Sequence, residues 1–166
     1  MNESVRFEIR ELKSDEQPLL GDFLYEAVYR REDQPPYPHD IIDKPAIRVY
    51  IEGWGKPDDI CLAAALADGG IAGAVWTRLL TGEAQGFGYV DDETPELAIA
   101  LYKPHRGQGL GTALMSAMID RLKKTGYRRV SLSVSKENPA YRLYARLGFE
   151  VAGEDEKDYV MVLELG

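Results

Sequence analysis

The stretch YKPHRGQGLGTALM, from Tyr102 to Met115, constrains the fold more than any other part of the chain. It sets three glycines and an arginine, with no acidic residue, directly before an apolar stretch of helical period. An apolar run, ELAIALY at 96–102, leads into it and reads as a strand. Strand, glycine-rich elbow and helix in that order form an α/β unit with an anion site at its turn. A helix N-terminus presents free backbone N–H groups and a partial positive charge. Glycines let that backbone come close to a phosphate. The plainer alternative is a turn that merely starts a helix. One glycine suffices for that, and three spaced ones cost backbone entropy unless something must approach.

Two familiar phosphate loops do not fit. The P-loop needs GxxxxGK[ST], and no such lysine is present. The dinucleotide fingerprint needs a third glycine or alanine, where this chain has Thr112 or Leu114.

The remaining elements follow from period and punctuation. Residues 5–10 alternate as a strand. Ser14 or Asp15 is placed to cap a helix running to about Tyr29, and Pro45 opens a second helix over 45–54. The Pro-rich segment between them is a loop. Apolar strands are expected at 60–67 and 71–79, joined at Asp68-Gly69-Gly70. A helix over 109–124 follows the elbow, with Gly126 stopping it. Then come a strand at 129–135, a helix capped by Asn138 and ending at Gly148, and strands near 149–153 and 158–164. The order is β-α-α-β-β-β-α-β-α-β-β, with no internal repeat and no dividing linker.

Net charge is −8, from 20 basic and 28 acidic residues, which argues against sequence-independent nucleic-acid binding. No apolar run approaches a bilayer span, and the start has no signal-peptide h-region, so a cytoplasmic protein without membrane contact is expected. Cys61 is the only cysteine; it sits in the apolar run ICLAAALA as a core residue, and no metal site is expected.

What does fit the elbow is Arg-x-x-Gly-x-Gly, Arg106 to Gly111. Together with NPAYRLYARLGF, Asn138 to Phe149, it resembles the two signature segments of the GNAT-type N-acetyltransferase superfamily. The element order agrees along essentially the whole chain. The resemblance implies an α/β (α+β) fold in a single domain over 1–166, with a mixed central sheet of six to seven strands and about four helices. It also implies that two splayed parallel strands hold acetyl-CoA. The loop residues Arg106, Gly107, Gln108, Gly109, Leu110 and Gly111, with Thr112 beside them, would bind the pyrophosphate. The backbone of Ile99, Ala100 and Leu101 would pair with the pantetheine arm. Tyr144 would protonate the leaving thiolate, a core tyrosine being the bland alternative. Asn138 would contact the cofactor, a role compatible with its helix cap. Glu96 stands where several relatives carry a general base; a solvated or structural carboxylate is the other reading.

The strand pattern agrees with that placement: Glu96, Ala98 and Ala100 share one face, Leu97, Ile99 and Leu101 the other. His39 is a weaker candidate for the acceptor site, and Trp54, Trp76, Tyr29, Tyr37 and Tyr89 are candidate pocket walls. The implied function is acetyl transfer to a primary amine, on a small molecule, an amino terminus or a lysine, by direct attack. A non-catalytic acetyl-CoA sensor and an acyltransferase using another acyl-CoA or an alcohol are the competing functions. The resemblance leaves a homodimer open.

Overall fold

The structure is a computed structural model that describes residues 6–166. Seven strands form one mixed sheet in the order β1-β2-β3-β4-β5-β7-β6. The strands are β1 (Phe7–Glu11), β2 (Ile60–Leu66), β3 (Ile71–Arg78), β4 (Glu96–Leu101), β5 (Arg129–Ser135), β6 (Glu150–Glu154) and β7 (Asp158–Glu164). The helices are α1 (Leu20–Ala27), α2 (Pro45–Arg48), α3 (Leu110–Thr125) and α4 (Ala140–Arg146). Element order and strand count are those expected. Val5, the expected first residue of β1, lies outside the described residues.

Two apolar layers cover the sheet. Met115, Met118 and Leu122 of α3 pack with Leu97, Val130 and Leu132 on one face. Phe23 and Leu24 of α1 pack with Trp76, Cys61 and Ala100 on the other. The alternation along β4 thus sends Leu97, Ile99 and Leu101 to the α3 side and Ala98 and Ala100 to the α1 side. No helix among the described residues is long and apolar enough to cross a membrane.

The first two helices differ from expectation. The segment Ser14–Leu19 is a 3-10 turn after an extended Lys13, and neither Ser14 nor Asp15 is the cap. Pro18 inside it has no N–H and blocks an α ladder until Leu20. The helix ends at Ala27, where Val28 turns extended. The expected helix at 45–54 is one turn, Pro45–Arg48. Beyond it, bonds of mixed spacing continue, Tyr50 N–H to Ile47 and Glu52 N–H to Arg48. The buried Arg78 guanidinium takes the carbonyls of Val49 (2.9 Å) and Glu52 (2.7 Å), and pairs with Asp59 at 3.0 and 3.1 Å. This draws the chain out of helical register and ties it to the C-terminal end of β3.

Candidate active site

The sheet is antiparallel except at β4 and β5, which run parallel and share a single register pair, Glu96 opposite Ser131. Past that pair the two strands diverge. β4 stays fully paired with β3, and β5 with β7, so the fork between them leaves two rows of backbone groups facing an opening. Tyr102 N–H donates to Ala72 on β3. By ladder alternation Ala100 also spends its backbone groups on β3, and Ile99 and Leu101 present theirs to the fork. Of Ile99, Ala100 and Leu101, the first and last thus turn backbone groups toward the fork, the Leu101 carbonyl being taken by Arg106 Nε at 3.0 Å.

A cavity of about 550 Å³ fills the fork. Its walls include Glu96, Ala98 and Ile99 of β4, Ser133 and Val134 of β5, Asn138 and Tyr144. The mouth is roofed by the segment after α1, including Tyr29, Arg30, Arg31 and Tyr37. Tyr29 reaches across to donate to the Glu137 carbonyl (3.0 Å), Tyr37 donates to the Tyr29 carbonyl (3.1 Å), and Arg31 pairs with Glu137 (3.6 Å).

Glu96 is not a solvated carboxylate. It is 3% exposed, and the Tyr50 hydroxyl donates to its Oε2. Oε1 has no hydrogen-bond partner. Burial pushes its carboxyl up to about 7, against the opposing pull of the Tyr50 hydrogen bond and of a Gly88 backbone contact. Tyr144 is 7% exposed on the first turns of α4, and burial alone pushes its phenol up to about 12. It therefore stays neutral at ordinary pH and holds a proton to give. Cys61 is buried on β2 and burial pushes its thiol up to about 12, so no thiolate is available there for a covalent step.

At the elbow, Gly107 and Gly109 have φ of 76° and 82°, the left-handed region that side chains avoid. Gly109 is the N-cap of α3, with no side-chain cap bond and no acidic residue in the first turn. The first N–H inside the helix to find a carbonyl is that of Ala113, bonded to Gly109. The amides of Leu110, Gly111 and Thr112 are thus left to an outside acceptor. The Leu110 side chain is fully buried, and a Cβ on Gly111 would meet Leu101 and Leu143 at an ordinary 3.6 Å. Gln108 is exposed, its amide 3.4 Å from the Pro104 carbonyl. The Arg106 side chain is engaged within the protein. It donates to the Leu101 carbonyl (3.0 Å) and pairs with Glu26 (3.2 Å), bracing the end of β4 against α1.

Asn138 lines the cavity, and its Oδ1 accepts the Ala140 N–H at 2.9 Å, so both readings of it coexist. Exposed His39 stacks on Tyr25 and is not among the cavity walls. Trp76 is buried in the core, Trp54 lies under Arg78, and Tyr89 bonds Asp92. None of these three reaches the fork, whereas Tyr29 and Tyr37 do. Sequence reasoning missed Tyr50 and Phe87, and no local pattern marks either.

Three comparisons with known proteins bear on this geometry. The model of the acetyltransferase (GNAT) family matches residues 24–149. The mycothiol acetyltransferase of Nocardiopsis dassonvillei is 38% identical over 108 residues, 63% of this chain and 32% of the relative. The chain spans about a third of the length of the curated relatives it matches. The ribosomal-protein-S18-alanine N-acetyltransferase of Escherichia coli superposes with a TM-score of 0.66 at 20% identity, over 97% of this chain and 95% of that one. The PaiA N-acetyltransferase of Thermoplasma acidophilum, solved with coenzyme A, does so with a TM-score of 0.68 at 18% identity, over 96% and 99%. At those identities the likeness is one of fold.

Proposed function

The chain belongs to the acetyltransferase (GNAT) family, and from that premise we propose that it moves an acetyl group from acetyl-CoA to a primary amine by direct attack in a ternary complex. One observation carries the reading: a single cavity at the open fork of β4 and β5 is lined by both a buried carboxylate and a neutral phenol.

The residues present suit acetyl-CoA. The unclaimed amides at the start of α3 and the left-handed glycines before it offer a cradle for a pyrophosphate. The fork-facing backbone of Ile99 and Leu101 offers a strand edge to an arm that carries amide groups. When bound, acetyl-CoA supplies an acyl group activated as a thioester.

The chain's own residues then divide the proton work. Glu96, set near neutrality, takes a proton from the acceptor ammonium, directly or through one water, and frees the nitrogen lone pair. The fork-facing N–H groups of β4 stabilise negative charge growing on the acyl oxygen. As the C–N bond forms and the C–S bond breaks, the sulfur leaves with the electron pair and takes the Tyr144 proton. The nitrogen sheds its second proton through water, which restores the Tyr144 phenol, and Glu96 passes its proton to solvent.

The mouth, lined by Arg30, Arg31, Lys157, Glu137 and Asp158 with aromatic walls, supports a polar acceptor. That mixture suits a polar small molecule or a peptide end. Mycothiol chemistry and a ribosomal-protein alanine, named in the relative and the structural neighbour, come first in a search.

Steady-state thiol release by the Glu96→Gln and Tyr144→Phe variants tests the roles. Each is expected to lose about 10²-fold or more in kcat. The wild-type kcat/KM is expected to rise as pH passes about 7, where Glu96 becomes the free base. Undiminished turnover in either folded variant removes the role given to that residue.

A further inference from the structure

The loop Gly86-Phe87-Gly88, between β3 and β4, has no part in the scheme above, yet its backbone lies directly on Glu96. A Cβ built on Gly86 would collide with Glu96 Oε1 and stand 2.8 Å from Cδ and Oε2. A Cβ on Gly88 would stand 2.7 Å from the Leu132 carbonyl carbon, 2.9 Å from the Ser133 nitrogen and 3.1 Å from Glu96 Cδ. At Gly88 the crowding atoms include β5 backbone, so only glycine permits the approach there; at Gly86 they belong to the Glu96 carboxylate. The loop is therefore a strap across the closed end of the fork, where Glu96 and Ser131 pair.

Between the two glycines, the Phe87 N–H donates to the Tyr50 hydroxyl at 2.9 Å, and that hydroxyl donates to Glu96 Oε2. The Phe87 and Tyr50 rings stack with centroids 6.4 Å apart. Tyr50 is itself held by the Trp76 indole N–H on its carbonyl, at 3.1 Å. One tyrosine thus links the strap, the core and the carboxylate.

Resting on the role of Glu96 as the base, we propose that Tyr50 and the Gly86–Gly88 strap are its positioning device. The tyrosine pins one carboxylate oxygen, the strap shuts out bulk water, and Oε1 is left with its accepting capacity unspent. Tyr50 and the strap's Gly88 backbone contact favour the anion, and the strap's exclusion of water, the larger effect, opposes them. A hydrogen bond to the anion favours the charged form; exclusion of water favours the neutral one. The other groups around the carboxylate leave these two in control. Arg78, opposite Glu96 on β3, is matched by Asp59. β5 offers Ser131 and Ser133, the strap offers only backbone at its glycines, and α1 offers Leu24 and Ala27 to the cavity.

The test follows the Glu96 carboxyl directly by ¹³C NMR titration of the protein without ligands, with Glu96→Gln identifying the resonance. Tyr50→Phe is expected to move the midpoint up, and Gly88→Ala, whose Cβ meets the β5 backbone at 2.7 and 2.9 Å and so lifts the strap and admits water, to move it down. For Tyr50→Phe, kcat/KM at pH 7 is expected to fall about tenfold and to recover at higher pH, with KM for acetyl-CoA unchanged. A packing role alone would not move the two midpoints in opposite directions. An unchanged midpoint in folded Tyr50→Phe overturns the proposal, and that variant decides alone should Gly88→Ala fail to fold. Full turnover by Glu96→Gln alongside the expected shifts would overturn the base assignment, and with it the purpose of the device, while leaving its geometry intact.

Discussion

Glu96 concentrates the conflict between stability and chemistry at the scale of one residue. Its carboxyl sits near 7 in the folded chain against an ordinary 4.5, because burial penalises the charge. The folded protein therefore binds a proton that the unfolded chain releases between those two values. The stability tied to this proton is complete below about 4.5 and is lost as pH rises through about 7, a cost of about 3 kcal/mol above that range. Glu96→Gln keeps an acceptor for the Tyr50 hydroxyl and removes the charge. It is expected to melt higher than the wild type at pH 8 and to match it near pH 4.5, as followed by thermal unfolding. Equal stability at both values would mean that the carboxylate is not strained by its site. The alternation of β4 made the face of Glu96 readable from sequence. Its burial was not readable, because it comes from Tyr50, 46 residues away, and from a loop whose glycines look like those of any turn.

Elements differ in how much of their geometry is local. The elbow before α3 was legible because spacing alone dictates it: a left-handed N-cap, no competing cap and free amides. Its three glycines nonetheless do different things. Gly109 needs its positive φ, whereas Gly111 is ordinary helix with room for a methyl group. Gly109→Val is therefore expected to cost about 1–2 kcal/mol of fold stability as well as binding. Gly111→Ala is expected to fold normally, and a coenzyme A affinity close to wild type, by calorimetry, would follow if its amide rather than its missing side chain matters. A large loss in Gly111→Ala would place the cofactor backbone closer to the Cα than the free amides require. The helices before β2 were less legible. Pro18 and the long-range grip of Arg78 on Val49 and Glu52 override local helical pattern there.

At the scale of the molecule, the site exists because the sheet is built in two parts. β1 to β4 form one antiparallel run, β5 to β7 another, and a single pair at Glu96 and Ser131 joins them. The α1 side brings the carboxylate with its tyrosine, and the α3 side brings the phenol. Neither part alone would line one cavity with both the carboxylate and the phenol. The family resemblance carried by the element order and signature segments anticipated the mixed sheet with its splayed parallel pair. The acceptor was not legible, because the mouth is assembled from residues near 30, 137 and 157 that share no motif.

The most direct measurement is thiol release from acetyl-CoA by the wild-type chain across a panel of mycothiol-type amines, polyamines, amino acids and alanine-terminated peptides, with product mass recorded. The account predicts release that requires an amine, with the product heavier by one acetyl group and the rate rising through pH 7. Tight acetyl-CoA binding with no amine-dependent release at any pH would contradict it.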